Sequence, residues 1–185
     1  GDVGAPDPVS GRIVFDGLAG TRTDSFPSLS IANGAPTGSD ATNTLVLTWP
    51  DAGANNQLNQ ERALVQTSVN RGVTWSAPVN ATQTGDRADN PAVAISPNGT
   101  DLYLVYNAYL QPFQTTTADP RRMQGVARHA DVGAGGTVGS FTTLHRGAVG
   151  DARGSTRTLN RELIYDYQFA AATRKEDGNI GFVAL

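Results

Sequence analysis

Apolar residues recur along this chain in short alternating runs bounded by Gly, Pro, Asn and Asp, and no segment carries a 3.6-residue apolar stripe across three turns. The pattern predicts an all-β chain. Four strands are expected at Phe26 to Ala32, Thr44 to Trp49, Arg62 to Ser68 and Ser76 to Asn80. A second set begins at Asn90 to Ser96, turns through Pro97-Asn98-Gly99, rises through Leu102 to Tyr106, and continues at Gln124 to Ala130 and Ser140 to Leu144. A third runs from Asp166 to Ala172, turns at Glu176-Asp177-Gly178 and closes on Ile180 to Leu185, and Arg12 to Phe15 offers an outer strand. Gly34, Gly99 and Gly178 mark corresponding turns, 65 and 79 residues apart. Long connections account for a repeat wider than that of compact arrays. The units cover approximately 26–80, 90–145 and 166–185 within a single domain.

One turn is more specific than the rest. In Ser68-Val69-Asn70-Arg71-Gly72-Val73-Thr74-Trp75, short polar side chains can bond nearby backbone groups, Gly72 can take positive φ, and Trp75 can fold over the turn. The stretch resembles the Asp-box of bacterial neuraminidase repeats, matching at Ser68, Gly72, Thr74 and Trp75 with Asn70 where Asp is usual. Further matches are Phe26-Pro27-Ser28-Leu29, Asn90-Pro91-Ala92-Val93-Ala94 and Tyr165-Asp166-Tyr167 at the starts of the three units. Together they are similar to actinobacterial exo-alpha-sialidase-like proteins. The resemblance implies a partial β-propeller of four-stranded antiparallel blades, two complete and a third in part. Because a propeller closes with about 4 to 8 blades, it also implies missing blades, supplied by the rest of the protein or by another chain. An open flank would favour association.

Composition narrows the partners. A net charge of -3 with Lys175 as the only lysine disfavours nucleic acid. No apolar run is long enough to span a bilayer. The absence of cysteine removes disulfides and thiolate metal sites, and abundant Gly, Ala, Thr and Asn fit a secreted or cell-surface bacterial protein.

Alternating connectivity assigns loops to two ends. The turns at Gly34, Gly72, Gly99 and Gly178 share one end, and the longer connections 50–61, 82–90, 107–122 and 146–165 share the other. The long-loop end collects Arg87, Arg121, Arg122, Arg146, Arg153, Arg157 and Arg161 beside Asp51, Glu61, Asp86, Asp89 and Asp151. Arginine forks bind carboxylates bidentately, so an acidic sugar is one candidate ligand, while pairing with neighbouring aspartates is the alternative. In the family resembled, an arginine triad holds the sugar carboxylate, a tyrosine helped by a glutamate is the nucleophile, and an aspartate is the acid/base. A neutral phenol suits a substrate that carries its own carboxylate.

The resemblance makes Tyr165, Tyr167, Glu61 and Asp51 the catalytic candidates, and Arg22, Arg62, Arg87, Arg121 and Arg122 the substrate-binding ones. Ser25 stands where the family's Arg-Ile-Pro motif has arginine, with Arg22 three residues upstream. The expected function is therefore a segment of a sialidase-like glycoside hydrolase acting on glycans, without a cofactor. The alternative is a non-catalytic carbohydrate-binding propeller, with Tyr106, Asn107, Tyr109 and Phe113 cradling a neutral glycan. His129 and His145, sixteen residues apart, lack the spacing of a zinc site or a catalytic triad. Asp86, Asp89 and Asn90 offer oxygens to calcium without the full spacing of a cage.

Overall fold

The computed structural model describes residues 27–52, 59–113, 119–120 and 122–151, together with the backbone of four short strands elsewhere. Those four form two ribbons. β1 (Ala5–Pro6) pairs with β2 (Ile13–Val14), so the segment expected as an outer blade strand is instead taken up by Ala5 and Pro6. The described residues contain no helix long and apolar enough to cross a membrane.

The first sheet runs in the order β3 (Ser28–Ile31), β4 (Leu45–Asp51), β5 (Arg62–Ser68), β6 (Val79–Asn80), all neighbours antiparallel. β6 is shorter than the alternation suggested, since Pro78 has no N–H for the ladder. The second sheet runs β7 (Arg87–Ile95), β8 (Asp101–Tyr109), β9 (Arg122–Asp131), β10 (Thr142–Arg146), with β11 (Gly150–Asp151) pairing further along β9. Each sheet is a meander, the repeated unit that the pattern predicted. The chain is thus all-β, with two propeller-like blades in succession. The third unit shows β12 (Gln168–Ala172) paired with β13 (Ile180–Ala184), and the β12 backbone runs alongside β7.

One core lies between the two sheets. Val46, Ala63 and Val65 of the first pack with Ala88, Val93, Ile95, Leu102, Leu104, Tyr106 and Val126 of the second. β7 is buried along nearly its whole length, as a strand enclosed on both faces must be. Its junction with β3 reverses the usual alternation. Ser28 and Ser30 turn toward β7, where their hydroxyls accept the N–H groups of Val93 and Ile95, both at 3.2 Å. Leu29 and Ile31 consequently face outward and are exposed. Arg128 adds a second tie between sheets by donating to Ala81 O at 2.6 Å and Phe141 O at 2.7 Å.

Hydrogen bonds among the described residues bring the loops of the first two sheets together at two ends, while the Gly178 turn and most of the 146–165 connection lie outside those residues. At the short-turn end Gly34 N donates to Pro97 O at 2.8 Å, and Thr67 Oγ1 donates to Gly136 O at 2.6 Å. At the opposite end Phe113 N donates to Asn59 Oδ1 at 2.6 Å, joining the β8–β9 and β4–β5 loops.

The turn singled out in the sequence closes on itself. Ser68 Oγ accepts from Gly72 N at 2.9 Å, and Asn70 Oδ1 accepts from Ser68 Oγ at 3.0 Å and Thr74 N at 2.9 Å. Trp75 approaches Gly72, whose φ is +81°. The β7–β8 turn repeats the device. Ser96 Oγ donates to Asn98 Oδ1 at 2.8 Å and accepts from Thr100 N at 3.0 Å and Asp101 N at 2.9 Å.

Candidate functional site

Strands β7 and β8 extend further toward the long-loop end than alternation suggested, because Arg87, Ala88 and Asp89 continue the ladder opposite Tyr109, Ala108 and Asn107. A group of polar side chains is thereby carried into the interior. Asp51, Glu61, Asp89, Asn90 and Asn107 are all buried at this end of their strands. Their surroundings differ.

Asp51 ends β4 opposite Arg62, which starts β5, and Arg62 Nε reaches Asp51 Oδ2 at 2.7 Å. A half-exposed guanidinium thus lies on a buried carboxylate. Glu61 is next in the chain; its Oε1 accepts from Asn59 N at 2.9 Å, and its backbone carbonyl accepts from Ala88 N at 3.2 Å. That bond places Glu61 at the seam between the sheets. Asp89 Oδ1 accepts from Asn90 N at 2.9 Å. Asn90 then sits at a break in the β7–β8 register with φ of +46°. It is 4% exposed, and neither atom of its carboxamide has a hydrogen-bond partner among the described residues. Burying an amide unpaired costs about 1–3 kcal/mol, which sets Asn90 apart from the other described polar residues of this end.

The other candidates are dispersed. Arg87 is half-buried at the start of β7, and Arg122 is exposed at the start of β9, where its N–H donates to Gln111 Oε1 at 2.9 Å. Arg22, Arg121, Tyr165 and Tyr167 lie outside the described residues. Arg146, expected in a loop, belongs to β10 and grips Asp86 with two bonds of 2.8 and 2.9 Å. The same carboxylate accepts the Tyr106 hydroxyl at 2.8 Å. Asp86 is therefore committed to a structural network rather than grouped with Asp89 and Asn90 as cation oxygens. That bond to Asp86 raises the Arg146 pKa. Burial, followed by Asp86, pushes the Tyr106 phenol well above its ordinary value.

Two aromatic residues expected to cradle a glycan are corrected by the structure. Tyr106 and Tyr109 are both 0% exposed, packed into the interior rather than offered as platforms. The sequence offered Asn90 only as the start of a strand and as a calcium oxygen, not as a glycan contact. Its signal was an asparagine, a residue that tolerates positive φ, in an otherwise apolar run.

No family model matches the chain, and no curated protein matches it. Among solved structures it is similar to Trypanosoma rangeli sialidase in complex with sialic acid, at 14% identity and a TM-score of 0.41, covering 81% of this chain and 23% of that one. Trypanosoma rangeli sialidase by itself matches at 15% identity and a TM-score of 0.39, over 77% and 23%. A complex of the same sialidase with 2,3-difluoro-KDN matches at 15% identity and a TM-score of 0.40, over 98% and 29%. The chain thus spans less than a third of the length of each.

Proposed function

We propose that this chain is a segment of an exported bacterial, sialidase-like glycoside hydrolase, and that its glycan site lies at the long-loop end of β4, β5, β7 and β8. Asn90 is the observation that carries this reading. A buried carboxamide at a strained bulge, its donor and acceptor both unused among the described residues, is a cost that a polar ligand would offset by supplying the missing bonds. A sugar, with hydroxyl and amide groups that both donate and accept, has the matching chemistry. Asp51 and Glu61 supply carboxylates from adjacent strands at the same end, for the acid/base and the residue assisting a tyrosine nucleophile at Tyr165 or Tyr167. Arg22, Arg87, Arg121 and Arg122 are the cations for an acidic substituent, while Arg62 positions Asp51. The remaining blades would come from the rest of the protein or another chain.

A second reading, a non-catalytic carbohydrate-binding propeller, is favoured by two features. Ser25 stands where the resembled family has arginine, and the Arg62 guanidinium is already held by Asp51. Hydrolysis of a fluorogenic sialoside by the full-length protein separates the readings. Release abolished by Tyr165→Phe or Tyr167→Phe, and lowered about tenfold or more by Asn90→Ala, is expected for the hydrolase. Glycan-array binding without release, lost in Asn90→Ala, would establish the binding module. Neither turnover nor binding would remove both.

A further inference from the structure

The short-turn end holds a side-chain group that the proposed glycan site does not use. Asp101 opens β8 and Asp131 closes β9, and the two are directly opposed in the ladder, as are Tyr103 and His129. Residues two apart share a face of a strand, so Asp101, Tyr103, His129 and Asp131 project from the same side of one hairpin. His129 Nε2 lies 3.0 Å from Asp101 Oδ1 and 3.8 Å from Asp131 Oδ1, and one donor atom from each of the three residues falls within 4.8 Å of the others. Two carboxylate oxygens and an imidazole nitrogen thus face one another on this side of the hairpin.

We infer that Asp101, His129 and Asp131 form a binding site for a divalent first-row metal ion of the zinc type, with water completing its coordination. Metal bonds of about 2.0–2.2 Å place neighbouring ligand atoms roughly 3–3.5 Å apart. The Asp101–His129 pair already has that spacing. Asp131 closes the remaining distance by a side-chain rotation, which its 90% exposure leaves unhindered. Asp101 is held for the role. Its Oδ2 accepts from Thr100 Oγ1 at 2.6 Å, its N–H donates to Ser96 Oγ, and its Oδ1 faces the imidazole. Outer partners of this kind orient metal ligands. The ring of Tyr103 lies 5.0 Å from that of His129, forming one wall. One neutral nitrogen and two carboxylates suit zinc better than magnesium or calcium, which take oxygen alone. The ion, bound at His129 Nε2, ties the end of β8 to the end of β9, away from the glycan site.

Calorimetric titration of Zn²⁺ into the untagged, full-length protein near neutral pH tests this directly. One saturable site per chain is expected, with affinity lowered at least about tenfold by either His129→Gln or Asp131→Asn. His145→Gln, which alters the only other histidine of this sequence, leaves it unchanged. In a histidine-edited NMR spectrum, Zn²⁺ should shift the His129 ring signals and spare those of His145. Absence of saturable binding, or equal affinity in the folded Asp131→Asn protein, overturns the assignment. Asp131 is exposed, so that variant remains informative if His129→Gln does not fold.

Discussion

The polar residues of the core act as linked pairs and triples, and Tyr106 shows what one atom contributes. Its hydroxyl donates to Asp86 at 2.8 Å and accepts the Gln83 N–H at 3.0 Å, while Asp86 holds Arg146 through both oxygens. Tyr106→Phe keeps the ring and removes both bonds, stranding the Gln83 N–H. A loss of about 1–3 kcal/mol is expected from urea unfolding. The pH dependence has a definite sign. Burial and Asp86 favour the protonated phenol in the folded state, raising its pKa above the ordinary value near 10.0. The unfolded chain therefore ionises first on the alkaline side. This contribution to stability is complete below about pH 10 and is lost as pH rises beyond it. Wild-type protein should lose stability more steeply than Tyr106→Phe in that range, and parallel curves would contradict the coupling.

At the scale of turns and strands, local chemistry was largely legible and inward direction was not. β5 begins and ends where alternation placed it, because polar residues bracket an apolar run. The Ser68 turn was readable from its serine, asparagine and glycine. The Ser96 turn is placed by Pro97-Asn98-Gly99, but its matching serine clip is masked in the sequence by those turn residues. β7 and β8 were cut short because Asp89 and Asn107 read as loop residues, although both are buried in strands. Ser28 and Ser30 face inward because β7 presents N–H groups that apolar side chains could not satisfy. The two turn glycines yield a contrast. Gly72 has φ +81° and room for a methyl group, with Leu45 and Trp75 at ordinary contact of 3.7 Å. Gly72→Ala should therefore cost only the left-handed backbone penalty, about 1–2 kcal/mol. Gly99 has a nearly identical φ of +80°, but a methyl group there would run into the Thr42 hydroxyl and lie 3.2 Å from Ala32 Cβ. Gly99→Ala should cost about 1–3 kcal/mol more, with part recovered in Gly99→Ala/Thr42→Ala. Equal midpoints in urea would mean that the Thr42 side chain gives way.

For the whole molecule, antiparallel connectivity alone sorted the loops into two ends, because each hairpin reverses direction and leaves no other choice. The partners within those ends were hidden. Arg146 finds Asp86 sixty residues away, and His129 meets Asp101 across a ladder, separations that local spacing does not encode. The same connectivity leaves one flank without cover. With Ser28 and Ser30 turned to β7, Leu29 at 60% and Ile31 at 44% exposure form an apolar strip on the other face of β3. A net charge of -3 spread over the chain opposes contact there only weakly. The isolated chain should accordingly self-associate, with a sedimentation coefficient that rises with concentration. Leu29→Lys/Ile31→Lys places two charges on the strip without disturbing the serine bonds or the core between the sheets. It should shift the population to monomer and leave the far-ultraviolet circular dichroism unchanged. If the double variant associates as strongly as the parent, the contact lies elsewhere and the β3 face is not the flank that seeks a partner.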